Sequence, residues 1–399
     1  MKEKKANAPG PPRDARKNRP PLWTRDFTLI CIYNLVIFIS FQMLMPTIPV
    51  YVDKLGGNEI IVGLVAGFFT VSAVLLRPWA GRGLDRYGRR WIWLAGAVVF
   101  LLAVMGYNWA ATIPLLLALR VIHGAGWGVV TTSAATAATD LIPPPRRGEG
   151  MGFFGLGTNL GMAVGPATGF FLVGSFGFPA MFWSSAALAL LAILLIAIIR
   201  LPSVDIKQGG PAPSLWEPTA FMASLLIFFV TFVYGGVATF IALYGAQIGV
   251  TNAGIYFTVY AVTLIVTRPT MGAIFDRHGH RVVIIPGFLL TGAGTVILSQ
   301  AGGLATFLAA AVVSGIGFGA IHPALQALAV AQCAPNRRGA AQGTFTASFD
   351  LGIGSGSVLL GILARYIGYD GMYLASAAMA LVGLAVYLTM VKEPARARQ

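Results

Sequence analysis

GRGLDRYGRR, residues 81–90, and GAIFDRHGHR, residues 272–281, are two versions of one short charged stretch. They stand 191 residues apart: Asp85 matches Asp276, and Arg77/Arg268, Pro78/Pro269, Gly81/Gly272, Arg86/Arg277, Gly88/Gly279 and Arg90/Arg281 keep that offset. The register continues outward. VIHGAGWGVV at 121–130 returns as VVSGIGFGAI at 312–321, RRG at 146–148 returns at 337–339, and Gly152/Gly343, Phe154/Phe345, Leu160/Leu351, Gly161/Gly352 and Gly165/Gly356 extend it. The chain is therefore a tandem duplication with a charged loop in each copy.

The 399 residues are 56% hydrophobic and 11% charged, and the mean hydropathy is +0.75. A soluble domain carries about 25% charged residues, so a chain this apolar belongs in a bilayer. Apolar runs of the length a helix needs to cross hydrocarbon fall at 26–50, 60–80, 91–110, 112–134, 150–174, 180–200, 218–246, 252–271, 282–300, 304–331, 341–364 and 370–391. Twelve spans follow. Residues 1–22 are rich in Lys, Arg and Pro and read as a disordered basic tail. The first apolar run is too long for a signal peptide and has no cleavage site, so it is a span.

The net charge of +14 is a topology signal. With both termini inside, the inner loops hold Arg82, Arg86, Arg89, Arg90, Arg146, Arg147, Arg277, Arg281, Arg337 and Arg338, and the outer loops hold little beyond Lys54 and Arg365. That distribution speaks against nucleic acid as a partner and for a multi-pass protein with cytoplasmic termini. The Gly/Pro-rich segment at 201–217 divides the chain into six-helix bundles at 23–200 and 218–391, with a tail at 392–399. Cys31 and Cys333 have no neighbours at metal-ligand spacing, so neither a disulfide nor a metal site is expected.

GRGLDRYGRR resembles the hallmark loop between helices 2 and 3 of the major facilitator superfamily. Arg120 with Gly124 and Gly128 is similar to the helix-4 motif of its proton-coupled members. GMAVGPATGF at 161–170 is similar to the helix-5 antiporter motif, with Phe170 where glycine is usual, and SFQMLMPTIP at 40–49 to the helix-1 motif of twelve-helix drug–proton antiporters, with Ser40 in place of glycine. The resemblance implies an all-α membrane protein of two pseudo-symmetric six-helix bundles that rock about a midplane site. It implies a monomer in a bacterial cytoplasmic membrane that exports small amphipathic organic molecules or drugs against protons. Export of an opine-type metallophore, to which LRPWAG at 76–81 and FDLGIG at 349–354 are similar, and uptake of a sugar or another metabolite are the alternatives. No Walker loop is present, so no ATP and no enzymatic activity are expected; the driving force implied is the proton gradient.

Individual residues carry distinct expectations. In the 81–90 loop, Gly83 and Gly88 permit a turn, Gly81 belongs to the latch, and Asp85 suits the unpaired N–H groups of a helix N-terminus. By the resemblance Asp85 latches the first half onto the helix starting near Gly339, and Arg86 and Arg90 are placed to pair with Asp140. The second copy, with Asp276 and Arg277, has Ala331 opposite Asp140 and is expected to latch less. Gly157, Gly161, Gly165 and Gly169 make a bare helix face, which either packs tightly or closes the contact between halves against proton leak; Pro166 bends that helix.

Ionisable residues inside spans are costly and are suspects by default. Asp350 lies near the midplane, and its repeat mate is Asn159; an isolated acid there favours its neutral form, which suits a proton carrier, and the alternative is a fixed ion pair or a helix cap. Arg120 keeps its charge and either tunes a nearby acid, binds an anion or acts as a tether. His123 and His322 join Asp350 in a possible relay or are ordinary core histidines. Asn34, Gln42, Asn159, Tyr234, Tyr256, Tyr260 and Gln326 are candidates for the cavity wall, the alternative for each being interhelical hydrogen bonding. A mainly apolar cavity of this kind suits amphipathic or weakly basic compounds.

Overall fold

The structure is a computed structural model that describes residues 20–202, 216–250, 252–331, 333–334 and 337–390, without the side chains of Asp85, Gly148, Pro269, Asp276, Arg338 and Gly339. The described residues are helical, in the order α1 (Arg25–Leu44), α2 (Thr47–Lys54), α3 (Glu59–Tyr87), α4 (Arg89–Gly106), α5 (Ile113–Leu141), α6 (Arg147–Ile198), α7 (Phe221–Gln247), α8 (Gly254–His278), α9 (Arg281–Ser299), α10 (Leu304–Ala331) and α11 (Arg338–Met390). α1 and α2 together make the first span. The sequence tails and most of the linker at 201–217 lie outside the described residues.

Ten segments are long and apolar enough to cross a membrane, two of them 50 and 51 residues long. A helix of that length would reach about 75 Å, more than twice the hydrocarbon thickness. Each long helix is broken once, α6 at Gly177 (φ 81°) and α11 at Gly368 (φ 72°). Only glycine takes such a φ without strain. Each of these helices is thus a pair of spans, and the chain crosses twelve times. Gly177 and Gly368 stand 191 residues apart, as do Gly88 (φ 88°) and Gly279 (φ 82°). The duplication is written into the backbone at the same four places.

Gly88 and Gly279 correct the reading of the charged stretches. Residues 81–87 are the last two turns of α3, Gly83 included, and residues 272–278 belong to α8. The turn is one glycine long. The connection needs only one residue with positive φ, and the hydrophilic turns before it stay helical because they lie beyond the hydrocarbon.

Packing follows small residues. In the first half α6 lies along α1, and α5 lies between α3 and α4; in the second half α11 lies along α7, and α10 lies between α8 and α9. The glycines of GAGWG and GIGFG set α5 and α10 close to their neighbours. A Cβ at Gly126 would stand 2.7 Å from the backbone of Phe100, and one at Gly317 2.7 Å from that of Thr291. Buried hydroxyls add cross-helix hydrogen bonds within each half, Ser40 to Ser185 (2.8 Å) and Thr239 to Ser357 (2.8 Å). Large apolar side chains such as Leu75, Trp79, Leu102, Phe171 and Val266 face outward, as lipid contact requires.

The antiporter-motif glycines belong to this internal packing. A Cβ at Gly161 would meet Phe38, at Gly165 Gln42 and at Gly169 the backbone of Met43, all on α1 of the same half. The face does not form the contact between halves. Pro166 sits inside α6 without interrupting it.

The halves meet along two seams, α3 with α11 and α6 with α8. At the face away from the termini both seams are shut. A Cβ at Gly63 would lie 2.5 Å from the Ser357 carbonyl, and one at Gly361 2.7 Å from the Glu59 carbonyl. Arg365 pairs with Glu59 at 3.6 Å. On the second seam Phe170 stacks on Phe257 with ring centres 5.9 Å apart. The residue that departs from the antiporter motif thus bridges the halves on this second seam.

Candidate functional site

Between the halves a cavity of about 780 Å³ runs from the closed end, near Phe41, Met45 and Ile353, to the face where α1 begins and α11 ends (the terminal face), near Asp140, Arg147, Trp216 and Gln342. Its wall comes from α1, α3, α5 and α6 of the first half and from α10 and α11 of the second. The floor is aromatic: Phe41 stacks on Trp127 (4.1 Å) and on Phe69 (5.1 Å). α5 adds a line of threonines, but Thr131, Thr132, Thr136 and Thr139 each donate to the carbonyl four residues earlier. Their hydroxyls are spent within the helix, so this wall is less polar than its composition.

Asp350 stands in the cavity wall and forms an ion pair with Arg77 of α3 across the seam. In the sequence Arg77 is marked only by its repeat match with Arg268. The missed signal was depth: Arg77 precedes the end of α3 by ten residues, too far inside the span for an ordinary loop cation. The pair is partly buried and joins the two halves where the closed seam meets the open cavity.

Asn34 donates to the Phe154 carbonyl (2.8 Å) and to Thr158 Oγ1 (3.0 Å), tying α1 to α6 at the cavity edge. Gln42, Asn159, His322 and Gln326 also line the cavity. Tyr234, Tyr256 and Tyr260 do not. α7 packs mainly on α11 and α10 and touches α2 and α3 of the first half, and its Tyr234 is buried. Tyr234 packs on Phe318 (5.2 Å) and on Tyr260 (6.2 Å), and Tyr256 on Phe307 (5.1 Å).

The expected relay through both histidines is not assembled. His123 is fully enclosed by Phe69, Phe100 and Tyr107, with Nδ1 2.9 Å from the Tyr107 hydroxyl, in the first half. His322 shares the cavity with Asp350 but packs on Phe318 and Phe349. Arg120 donates from Nε to the Val65 carbonyl (3.0 Å) and lies 4.5 Å over the Phe69 ring. Those contacts make it a tether of α5 to α3 that also charges the cavity floor.

At the terminal face the structure reassigns the partner of Asp140. Arg89 donates to it from Nε at 3.0 Å, whereas Arg90 donates to the Ile199 carbonyl and Arg86 lies exposed over the Tyr87 ring. Since α3 ends at Tyr87, Arg89 opens α4 and turns back to the end of α5. Gly81 lines the cavity, and Arg277 is exposed. The latch expected of Asp85 toward Gly339, and of Asp276, concerns side chains outside the described residues. A different tie is visible there. Glu217 accepts from Arg337 (2.8 Å) and from Thr219, which holds its carboxyl below the ordinary value of 4.5. His280 meets the Tyr387 hydroxyl at 2.6 Å, and burial and then Arg281 keep its imidazole below its usual value. Among the described residues no cluster of His, Cys, Asp and Glu suits a metal ion.

The chain belongs to the Major Facilitator Superfamily, whose model matches residues 30–254 and 220–399. An MFS-type transporter of Methanocaldococcus jannaschii is 25% identical over 387 residues, covering 93% of this chain and 98% of its own. One of Burkholderia mallei is 28% identical over 389 residues, covering 93% and 91%. Among solved structures, a bacterial homologue of the lysosomal transporter Spinster, inward-facing and unoccupied, superposes with a TM-score of 0.75 at 16% identity, covering 93% of this chain and 98% of that one. The human organic anion transporter MFSD10 gives 0.68 at 19% identity, covering 92% and 100%. The protein is a multi-pass membrane transporter of small molecules.

Proposed function

We propose that this transporter is a proton-coupled exporter of small amphipathic organic molecules, with the terminal face in the cytoplasm and Asp350 as the proton site. The Arg77–Asp350 pair carries the reading. When Asp350 is charged, it ties α11 of the second half to α3 of the first. A proton on Asp350 removes the charge that Arg77 faces and loosens the tie. Removing one partner of a buried pair is strongly destabilising because the other charge is left uncompensated, so proton occupancy here biases the relative energies of the two open forms. A tie formed in the form open to the terminal face makes that form the deprotonated one. In the outward-open form Asp350 takes up a proton from outside; on return to the form open to the cytoplasm Arg77 re-forms the tie and displaces the proton inward, which leaves the cavity ready for its cytoplasmic cargo. The aromatic floor of Phe41, Phe69 and Trp127 supplies apolar contact for the hydrophobic part of the cargo.

The test is transport in proteoliposomes loaded with a pH indicator, using amphipathic fluorescent dyes of either charge. The wild-type protein is expected to move protons against dye flux, and Asp350→Asn to lose that exchange while still folding and binding dye. Proton movement left intact in Asp350→Asn sinks the assignment.

A further inference from the structure

The repeat lets the interiors of the two halves be compared residue by residue, and one position differs sharply. In the first half His123 of α5 fills the space between Phe69 of α3 and Phe100 of α4, and the Tyr107 hydroxyl holds its ring. The offset of 191 carries His123 to Ser314, Phe69 to Tyr260, Phe100 to Thr291, Val104 to Thr295 and Tyr107 to Leu298. The backbones keep that register: a Cβ at Gly126 would meet Phe100, and one at Gly317 would meet Thr291, each at 2.7 Å. The second half thus has a small hydroxyl where the first has an imidazole. Around it, two phenylalanines and a valine have become a tyrosine and two threonines.

The exchange of histidine for serine coincides with a second cavity, of about 20 Å³, between α7, α8, α9 and α10. Tyr234, Tyr260, Thr291, Thr295, Ser314 and Phe318 stand in its wall, and every residue that lines it is buried. Ser314 Oγ and the Tyr260 hydroxyl have no hydrogen-bond partner among the described residues, and neither has the Tyr256 hydroxyl one turn earlier on α8. Thr291 and Thr295 donate to the Gly287 and Gly292 carbonyls of α9 (2.8 and 2.9 Å), which leaves lone pairs on their oxygens for an outside donor.

We propose that this cavity is a water site. At least one ordered molecule, bonded to Ser314 and Tyr260 and donating to Thr291 or Thr295, ties α8, α9 and α10 together. It takes the place of the His123–Tyr107 hydrogen bond, which ties α5 to the end of α4 in the first half. The volume exceeds the ~10–15 Å³ that one water needs, and the lining offers the two to four polar partners that a buried water takes. A dry cavity would instead strand the hydroxyls of Ser314 and Tyr260 in the apolar core, each at the cost of an unmade hydrogen bond. None of the lining residues is acidic, so a cation there would lack a counter-charge, and a neutral occupant fits. The site stands apart from the transport cavity, and the inference does not depend on the cargo or on how protons are coupled.

Ordered water shows itself under X-ray radiolysis, because the hydroxyl radicals made from it oxidise the side chains beside it even where bulk solvent does not reach. The full-length protein in detergent is irradiated, and oxidation of Tyr260 is compared with that of Phe100, a buried ring that lines neither cavity. After correction for intrinsic reactivity, Tyr260 is expected to react several-fold faster than Phe100. Ser314→Leu, whose longer side chain occupies the cavity, is expected to bring Tyr260 down to the level of Phe100. Thermal unfolding gives opposite signs for a wet and a dry cavity and decides alone if the leucine variant does not fold. With water bound, Ser314→Ala and Tyr260→Phe each remove a hydrogen bond and lower the melting temperature by about 2 °C; in a dry cavity each removes a stranded hydroxyl and leaves it equal or higher. Three results overturn the proposal: Tyr260 oxidised no faster than Phe100, a melting temperature unchanged or raised in either shaved variant, or a wild-type melting temperature that rises in sodium over choline and loses that rise in Ser314→Ala, which would make the occupant a cation.

Discussion

Arg77 and Asp350 show what a single residue can and cannot declare. Asp350 stands out in the sequence because an acid at mid-span is rare, but the sequence leaves a proton carrier and a fixed ion pair both open and names no partner. Its partner lies 273 residues away on another helix, and no spacing rule connects them. The pair predicts a specific energetic pattern. Arg77→Gln leaves a charged carboxylate facing the cavity edge without its counterion and is expected to cost about 3 kcal/mol, the low end for a buried pair because this one is partly exposed. The double variant Arg77→Gln/Asp350→Asn removes the stranded charge and recovers most of that loss. Thermal unfolding of the four proteins in one detergent checks it; additive losses would mean that the two residues do not act on each other. Tyr234, Tyr256 and Tyr260 teach the converse. Depth along a helix is legible from the sequence, but the face a residue presents depends on which neighbours the helix meets: Tyr234, Tyr256 and Tyr260 lie against α8 and α10 of their own half.

At the scale of elements, the twelve crossings were legible because each must supply its own apolar length. The helix ends were not. Charged turns that leave the membrane keep their helical hydrogen bonds until a glycine with positive φ stops them, so 81–87 is helix and Gly88 is the whole turn. The glycine face of the antiporter motif was legible as a packing face, but its partner, α1, was not. The element that follows the linker makes a prediction in acid. Glu217 joins the segment before α7 to Arg337 at the start of α11. Its carboxyl lies below the ordinary 4.5 because Arg337 and Thr219 stabilise the charged form. A depressed carboxyl stabilises the folded state above the unfolded value, and the contribution is lost as pH falls through the folded value. The melting temperature of the wild type is therefore expected to fall below about pH 4.5 more steeply than that of Glu217→Gln. Parallel curves for the two would remove the ion pair from the account.

For the whole molecule, the repeat was legible in full, because an offset of 191 residues needs no structure to be seen, and it recurs in the backbone at Gly88/Gly279 and Gly177/Gly368. Which cavity the halves enclose, and toward which face it opens, depends on how two rigid bodies lean, and no residue pattern encodes one lean alone. The repeat also sharpens the asymmetry first sensed in the charged stretches. The difference that matters lies deeper, at Asp350 against Asn159. The central claim is that the proton on Asp350 sets which face is open, and it can be measured without knowing the cargo. Spin labels at Tyr87→Cys and His278→Cys, the exposed repeat-related ends of α3 and α8, report the distance across the terminal face once Cys31 and Cys333 are replaced. Double electron–electron resonance is expected to show the wild-type distance shortening as pH falls, and Asp350→Asn holding the short distance at every pH. A variant that keeps the long distance, or still shifts with pH as the wild type does, would contradict the claim.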